Sequence, residues 1–105
     1  MSAERRVYQG LAQGIGGNAV WIFLLELYAS HTECRRIDVS SLCRTAPIPA
    51  ATALRKLQRL HAAGLIEREP DVMDRRRVFV SLPPQAIAKV EACLLEIAKI
   101  HGIEL

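Results

Sequence analysis

Apolar residues recur with helical spacing in two long segments near the ends of the chain. From Asn18 to Ser30, one side follows an i, i+3, i+4, i+7 spacing, and the other side is apolar as well. A helix with two apolar sides must bury both, and a second copy of the chain can cover the outer one. From Gln85 to His101, apolar residues alternate at spacings of three and four, a pattern that suits a facing helix.

These two segments predict a homodimer held by the terminal helices. Packing of the last helix entirely on the first helix of its own chain is the alternative. Together, the two helices offer more apolar surface than one small core needs, which favours the dimer. The predicted contact residues are Trp21, Leu25, Tyr28, Ile87, Val90, Leu94 and Ile97.

Two shorter helices are predicted in the middle of the chain. Asp38 is a suitable N-cap for a short helix that ends before the turn at 45–47. A second helix follows directly from Pro49 to Ala63, because proline suits the first helical position and most residues after it favour helix. Gly64 is placed to end this helix.

Beyond Gly64 the pattern changes from helical to alternating. Leu65 to Glu69 and Arg77 to Leu82 are predicted strands, joined by a polar loop. The order is helix, short helix, turn, helix, hairpin, helix, which is typical of a winged helix-turn-helix. The predicted fold is therefore mainly α with a small β-hairpin (α+β).

Length and glycine content define the domain. The 105 residues, of which 50% are hydrophobic, suit a single core. Four of the six glycines lie in the first seventeen residues, so residues 1–17 are predicted to be a flexible arm and residues 18–105 the folded domain.

The positive charge of the chain is concentrated in one segment. The formal net charge is +3, and the segment from Arg55 to Arg77 carries seven basic and four acidic side chains, a surplus equal to that of the whole chain. A local basic surface is expected of a protein that binds nucleic acid, although a solvated charged face is the simpler interpretation of a short basic run.

Within this segment, the helix that starts at Pro49 has a polar flank. Its members are Thr52, Arg55, Lys56 and Arg59. Side chains of these types contact phosphates and the edges of bases in the major groove. The hairpin loop adds Arg75, Arg76 and Arg77, and the last of these could instead pair with Glu67 or Glu69 across the strands.

Three runs in this region resemble the recognition helix and wing of MarR-type transcriptional regulators. They are Leu60 to Arg68, Pro70 to Arg76, and Val78 to Leu82. The resemblance implies a homodimeric regulator, usually a repressor, that binds a pseudo-palindromic operator on double-stranded DNA and is released by a small ligand or by oxidation. It places Arg55 in contact with DNA and Arg76 in the minor groove.

The same resemblance makes Asp74 the acidic residue that stabilises the wing. The chain departs from the family pattern at two helix starts. Ile48 stands where a capping Ser or Thr is usual, and Pro83 replaces the Thr that usually precedes the last helix. The sequence does not indicate a small-molecule effector. The alternative function is that of a winged-helix module that binds a protein rather than DNA.

Other chemistry is not suggested by the sequence. The three cysteines show no metal-ligand or disulfide spacing, and only Cys34, between charged neighbours, is a candidate for an activated thiolate. No cofactor motif or catalytic arrangement is present, so we expect neither a cofactor nor an enzyme. No membrane span or secretory signal is indicated, and a cytoplasmic location is expected.

Overall fold

The computed structural model describes residues 18–102, so the predicted N-terminal arm lies outside them. The elements in chain order are α1 (Asn18–Thr32), β1 (Ile37–Asp38), α2 (Val39–Cys43), α3 (Ala50–Ala62), β2 (Glu67–Pro70), β3 (Val78–Ser81) and α4 (Pro84–Ile100). In this part of the chain, no helix has the length and apolar character needed to cross a membrane.

The ends of the central helices follow from local hydrogen bonds. The Asp38 carboxylate accepts the backbone N–H of Ser41 at 3.3 Å, which caps α2 as predicted. Helix α3 begins at Ala50 rather than at Pro49, which occupies the N-cap position and offers no side-chain cap. It ends where Gly64 adopts a φ of +76°.

This end of α3 is a double hydrogen-bonded turn. The N–H of Gly64 donates to the carbonyl of His61 at 3.0 Å, and the N–H of Leu65 donates to the carbonyl of Leu60 at 2.9 Å. Both bonds require the left-handed conformation that glycine adopts without strain. The chain therefore turns sharply from the helix toward the sheet.

The sheet has three antiparallel strands in the order β1-β3-β2, one more than the hairpin predicted from the sequence. Ile37 pairs with Val80, while Glu69 and Phe79 lie opposite each other across β2 and β3. Strand β1 has only two residues, too few to produce an alternating pattern. Leu65 and Ile66, predicted to start the first strand, are buried residues that precede it.

One hydrophobic core joins the helices to the sheet. Its largest buried side chains include Phe23, Leu24 and Leu27 of α1, and Val90 lies in the same cluster. Helices α1 and α4 contact each other, so part of the apolar pattern of α4 is used within the chain. Val90 has no exposed surface and is therefore not available to a second copy, in contrast to its predicted place in a dimer contact.

Candidate nucleic-acid interface

Helix α3 turns one side to the core and the other to solvent. Ala53, Leu57 and Leu60 are buried, whereas Arg55 and Arg59 are exposed on the opposite side. Among the described residues, neither arginine forms an ion pair, so both are available to a partner.

The other two predicted residues of α3 lie at the margin of this exposed side. Thr52 and Lys56 are half-buried. Leu54 and His61, which directly follow the buried Ala53 and Leu60 in the sequence, are exposed, with Leu54 at 40%. Within α3, the core cluster contains only Ala53, Leu57 and Leu60.

Gln58 is a candidate residue that sequence reasoning missed. It is exposed and follows Arg55 by three positions, so the two side chains are neighbours on the same side of the helix. A glutamine amide can donate to and accept from the edge of adenine in the major groove. A helical projection of all polar residues, rather than a search for basic ones, would have found it.

The loop between β2 and β3, residues 71–77, is the wing, and it is held by internal hydrogen bonds. The backbone N–H of Asp71 donates to the carbonyl of Arg77 at 3.0 Å, and the N–H of Arg77 donates to the carbonyl of Asp74 at 3.0 Å. The Asp74 carboxylate also accepts the backbone N–H of Arg76 at 3.0 Å and lies 3.4 Å from its Nε. This geometry suits the stabilising role expected of Asp74, because it orders the turn that carries Arg76.

Arg76 extends from this turn into solvent, with its side chain 93% exposed. Arg75 is exposed beside it. The contact with Asp74 uses Nε of Arg76, and the high exposure of the side chain leaves its guanidinium accessible to a partner. The wing therefore presents at least two guanidinium groups on an ordered turn.

A bridge of three side chains spans the outer face of the sheet at the base of the wing. The guanidinium carbon of Arg36 lies 3.7 Å from the centre of the Phe79 ring, and its Nη2 lies 3.4 Å from Oε2 of Glu69. Arg36 precedes β1, Phe79 is on the central strand and Glu69 is on β2, so the bridge crosses the whole sheet. We call these residues the Arg36 bridge.

Arg77 also lies near the Phe79 ring, at the base of the wing. Among the described residues, Arg77 forms no ion pair with Glu67 or Glu69, and its guanidinium carbon instead lies 5.8 Å from the Phe79 ring centre. Hydrogen bonds from Ser41 lower the pKa of Asp38, and the charge of Arg77 adds a smaller effect in the same direction. Arg77 therefore contributes positive charge to the base of the wing.

Apart from the buried Val90, the predicted dimer residues are half-buried, and all but Leu25 pack partly against the core of their own chain. Trp21, Leu25 and Tyr28 of α1 are half-buried, and the Tyr28 hydroxyl donates to Oε2 of Glu91 at 3.0 Å. On α4, the half-buried residues are Ile87, Leu94 and Ile97, which pack partly against the core of their own chain.

The three cysteines lie in different environments. Cys34 is exposed in the loop after α1, while burial raises the pKa of the Cys43 and Cys93 thiols. No group of three histidine, cysteine or acidic side chains within residues 18–102 is arranged to hold a metal ion.

Comparisons with known proteins identify the family. A profile described as "MarR family" matches residues 13–77. A search of curated proteins gave no match. Many solved structures match, among them a complex of Staphylococcus aureus MepR with DNA, with a TM-score of 0.75 and 21% identity over 91% of this chain and 77% of that one.

Two further structures show the same winged helix fold. One is a crystal structure of MepR, a transcription regulator of the Staphylococcus aureus multidrug efflux pump MepA. Its TM-score is 0.75, with 22% identity over 94% of this chain and 70% of that one. The other is MarR, with a TM-score of 0.68 and 22% identity over 90% of this chain and 66% of that one. The profile match and the shared fold agree, and this chain belongs to the MarR family of transcription regulators.

Proposed function

We propose that this protein is a sequence-specific regulator that binds double-stranded DNA as a homodimer in the cytoplasm and represses transcription by occupying an operator. The observation that carries the proposal is the shared exposure of the basic side of α3 and the arginines of the wing. A helix after a tight turn fits the major groove, and a wing beside it reaches the neighbouring minor groove.

The exposure of each side chain suggests its role. Arg55 is on the outermost side of α3 and is assigned to base edges, where a guanidinium can donate two hydrogen bonds to guanine. Lys56, Arg59 and Thr52 are assigned to phosphates, because Lys56 and Thr52 lie at the margin of the helix and Arg59 lies one turn beyond Arg55.

The wing arginines are assigned to the minor groove and its phosphates. Arg76 projects furthest from an ordered turn and is placed in the groove, since a narrow A·T-rich minor groove concentrates negative potential. Arginine suits this place better than lysine because its guanidinium is more weakly hydrated. Arg75 and Arg77 would add attraction to the phosphates on either side.

The dimer is proposed from the partly exposed apolar residues of α1 and α4. Leu25, Trp21 and Tyr28 leave apolar surface on α1, and Ile87, Leu94 and Ile97 leave more on α4. A two-fold dimer would cover this surface and place two copies of α3 about 34–36 Å apart, the distance between successive major grooves on one side of DNA. Staphylococcus aureus MepR, which shares the fold, has a crystal structure in complex with DNA, and this supports the same use of the fold here.

Titration with a preferred duplex and with random duplexes tests the proposal. Replacing Arg55 with Ala should cost roughly 1–3 kcal/mol on the preferred site and less on random DNA, because base contacts are sequence-dependent. Arg35→Ala is a matched control, since Arg35 is exposed but pairs with Glu26 and Glu33 away from α3.

The salt dependence of binding separates the two functions considered from the sequence. Binding to DNA should weaken steeply as salt rises, because each phosphate contact releases counterions. If Arg55→Ala lost the same affinity on the preferred duplex and on random duplexes, Arg55 would be reassigned to a phosphate contact. Failure of the wild-type protein to bind any duplex at low salt would reject DNA binding.

A further inference from the structure

The tip of the wing carries two apolar side chains that are almost fully exposed. Val72 is 91% and Met73 is 89% exposed, whereas the other exposed large hydrophobic residues between positions 18 and 102, Leu54, Leu95 and Ile100, range from 40% to 48%. An adjacent pair of this kind leaves apolar surface in water with no contact in return. Its placement at the end of the wing points to a partner that covers it.

The backbone that presents these side chains is ordered. The Asp71 carboxylate accepts the backbone N–H of Met73 at 2.9 Å, and the loop is closed by the bond from the N–H of Asp71 to the carbonyl of Arg77 at 3.0 Å. Less conformational entropy is therefore lost when a partner binds. The tip is a preformed surface.

The chemistry of the tip restricts the partner. Val72 and Met73 are followed within four residues by Arg75, Arg76 and Arg77, so apolar and positively charged groups occur side by side. The minor groove of DNA offers the complement of this arrangement, because phosphates line its rims and the C–H groups of deoxyribose line its walls. Proteins that enter this groove commonly combine arginine with apolar side chains.

We propose that Val72 and Met73 are DNA-contacting residues that pack against the deoxyribose walls of the minor groove while Arg76 occupies the groove beside them. This inference rests on the proposed function, because it requires the wing to reach DNA. The flexible thioether chain of Met73 can adapt to the curved wall, whereas the β-branched side chain of Val72 has a restricted χ1 and presents a more fixed apolar surface.

Affinity measured for Met73→Ala on a long and on a trimmed duplex tests the inference. Each buried methylene corresponds to roughly a fourfold change in a binding constant. Met73→Ala removes three heavy atoms beyond Cβ, and with about half of their surface covered by the groove wall the variant should lose roughly tenfold affinity on a duplex that extends beneath the wing. Val72→Ala should lose less, because fewer atoms are removed. On a duplex trimmed to end before the wing, the variants and the wild type should bind equally.

The salt dependence distinguishes this contact from that of a charged residue. Met73→Ala should leave the slope of log affinity against log salt unchanged, because no phosphate contact is lost, whereas Arg76→Ala should reduce it by about one if Arg76 neutralises one phosphate. Met73→Leu should retain most of the affinity. Since the tip is exposed, circular dichroism and thermal unfolding of all variants should match the wild type.

Three results would overturn the inference. Equal affinity of Met73→Ala and the wild type on the long duplex would show that the apolar pair does not touch DNA, and equal losses on both duplexes would assign the effect to the fold. Binding of the wild type to phosphatidylglycerol vesicles that depends on Met73, with DNA binding unchanged, would assign the tip to a lipid surface. If the wild type binds no duplex at all, the proposed function itself fails.

Discussion

Replacement of Arg36 should loosen the attachment of the wing to the rest of the sheet. In Arg36→Met, the guanidinium that lies 3.7 Å from the Phe79 ring centre is removed, and such a contact at an exposed site contributes ~0.5–1 kcal/mol. The ion pair with Glu69, at 3.4 Å with side chains 61% and 78% exposed, adds at most ~0.5 kcal/mol after solvent screening. The total loss in the free energy of unfolding is about 1 kcal/mol.

A loss of this size is measurable in a domain of this length. It should lower Tm by about 4–8 °C, since the unfolding entropy of a 60–100-residue domain is small. The proposed regulator should also bind DNA more weakly, because Arg36 joins β1 to the two strands that carry the wing. Arg35→Met is the matched control, as Arg35 contacts Glu33 and Glu26 rather than the sheet.

A double-mutant cycle isolates the contact between Arg36 and Phe79. Unfolding in denaturant is measured for the wild type, Arg36→Met, Phe79→Leu and the double variant. A coupling of ~0.5–1 kcal/mol is expected from the short ring distance. If the two single losses add to within about 0.3 kcal/mol, the guanidinium and the ring do not stabilise each other and the reasoning is refuted.

Three further predictions concern the cap of α2, the thiols and the dimer. Asp38→Ala should lower the free energy of unfolding by ~1 kcal/mol at pH 7, and Asp38→Asn by less, because the amide oxygen can still accept from Ser41. The hydrogen bonds from Ser41 lower the pKa of Asp38 in the folded state, so this stability is complete above the unfolded pKa of about 3.9 and is lost as pH falls through the folded value; the difference between wild type and Asp38→Ala should therefore shrink by pH 3 in urea unfolding. With a thiol-specific chromogenic disulfide at pH 8, Cys34 should react fast and the other two cysteines slowly, because burial raises their pKa; three equally fast thiols would contradict this structure. In sedimentation at micromolar concentration, Leu25→Asp should favour monomers and Val72→Asp should not, whereas an unchanged dimer in Leu25→Asp would exclude this part of α1 from the interface.

Features determined by neighbouring residues were predictable from the sequence. The cap at Asp38 and the end of α3 at Gly64 depend on side chains and backbone within a few positions, and both are observed. The long amphipathic pattern of α4 likewise predicted its extent to within a residue at each end.

Features that depend on distant residues were not predictable. Strand β1 exists because Ile37 pairs with Val80, and the Arg36 bridge joins residues 33 positions apart. The burial of Val90 was equally hidden, because an apolar position in a helix does not reveal whether its partner belongs to the same chain. Gln58 carries no charge, so the pattern of basic residues on α3 does not include it.

Selection of bound sequences from random duplexes tests the central claim of sequence-specific DNA binding by a dimer most directly. The account predicts an enriched inverted repeat whose half-sites are centred about 10–10.5 base pairs apart, with A·T pairs favoured in the flanks that the wings reach. Loss of the enrichment in Arg55→Ala, with random-sequence binding retained, would agree with base reading by α3. Recovery of no enriched sequence from the wild-type protein at moderate salt would contradict the account.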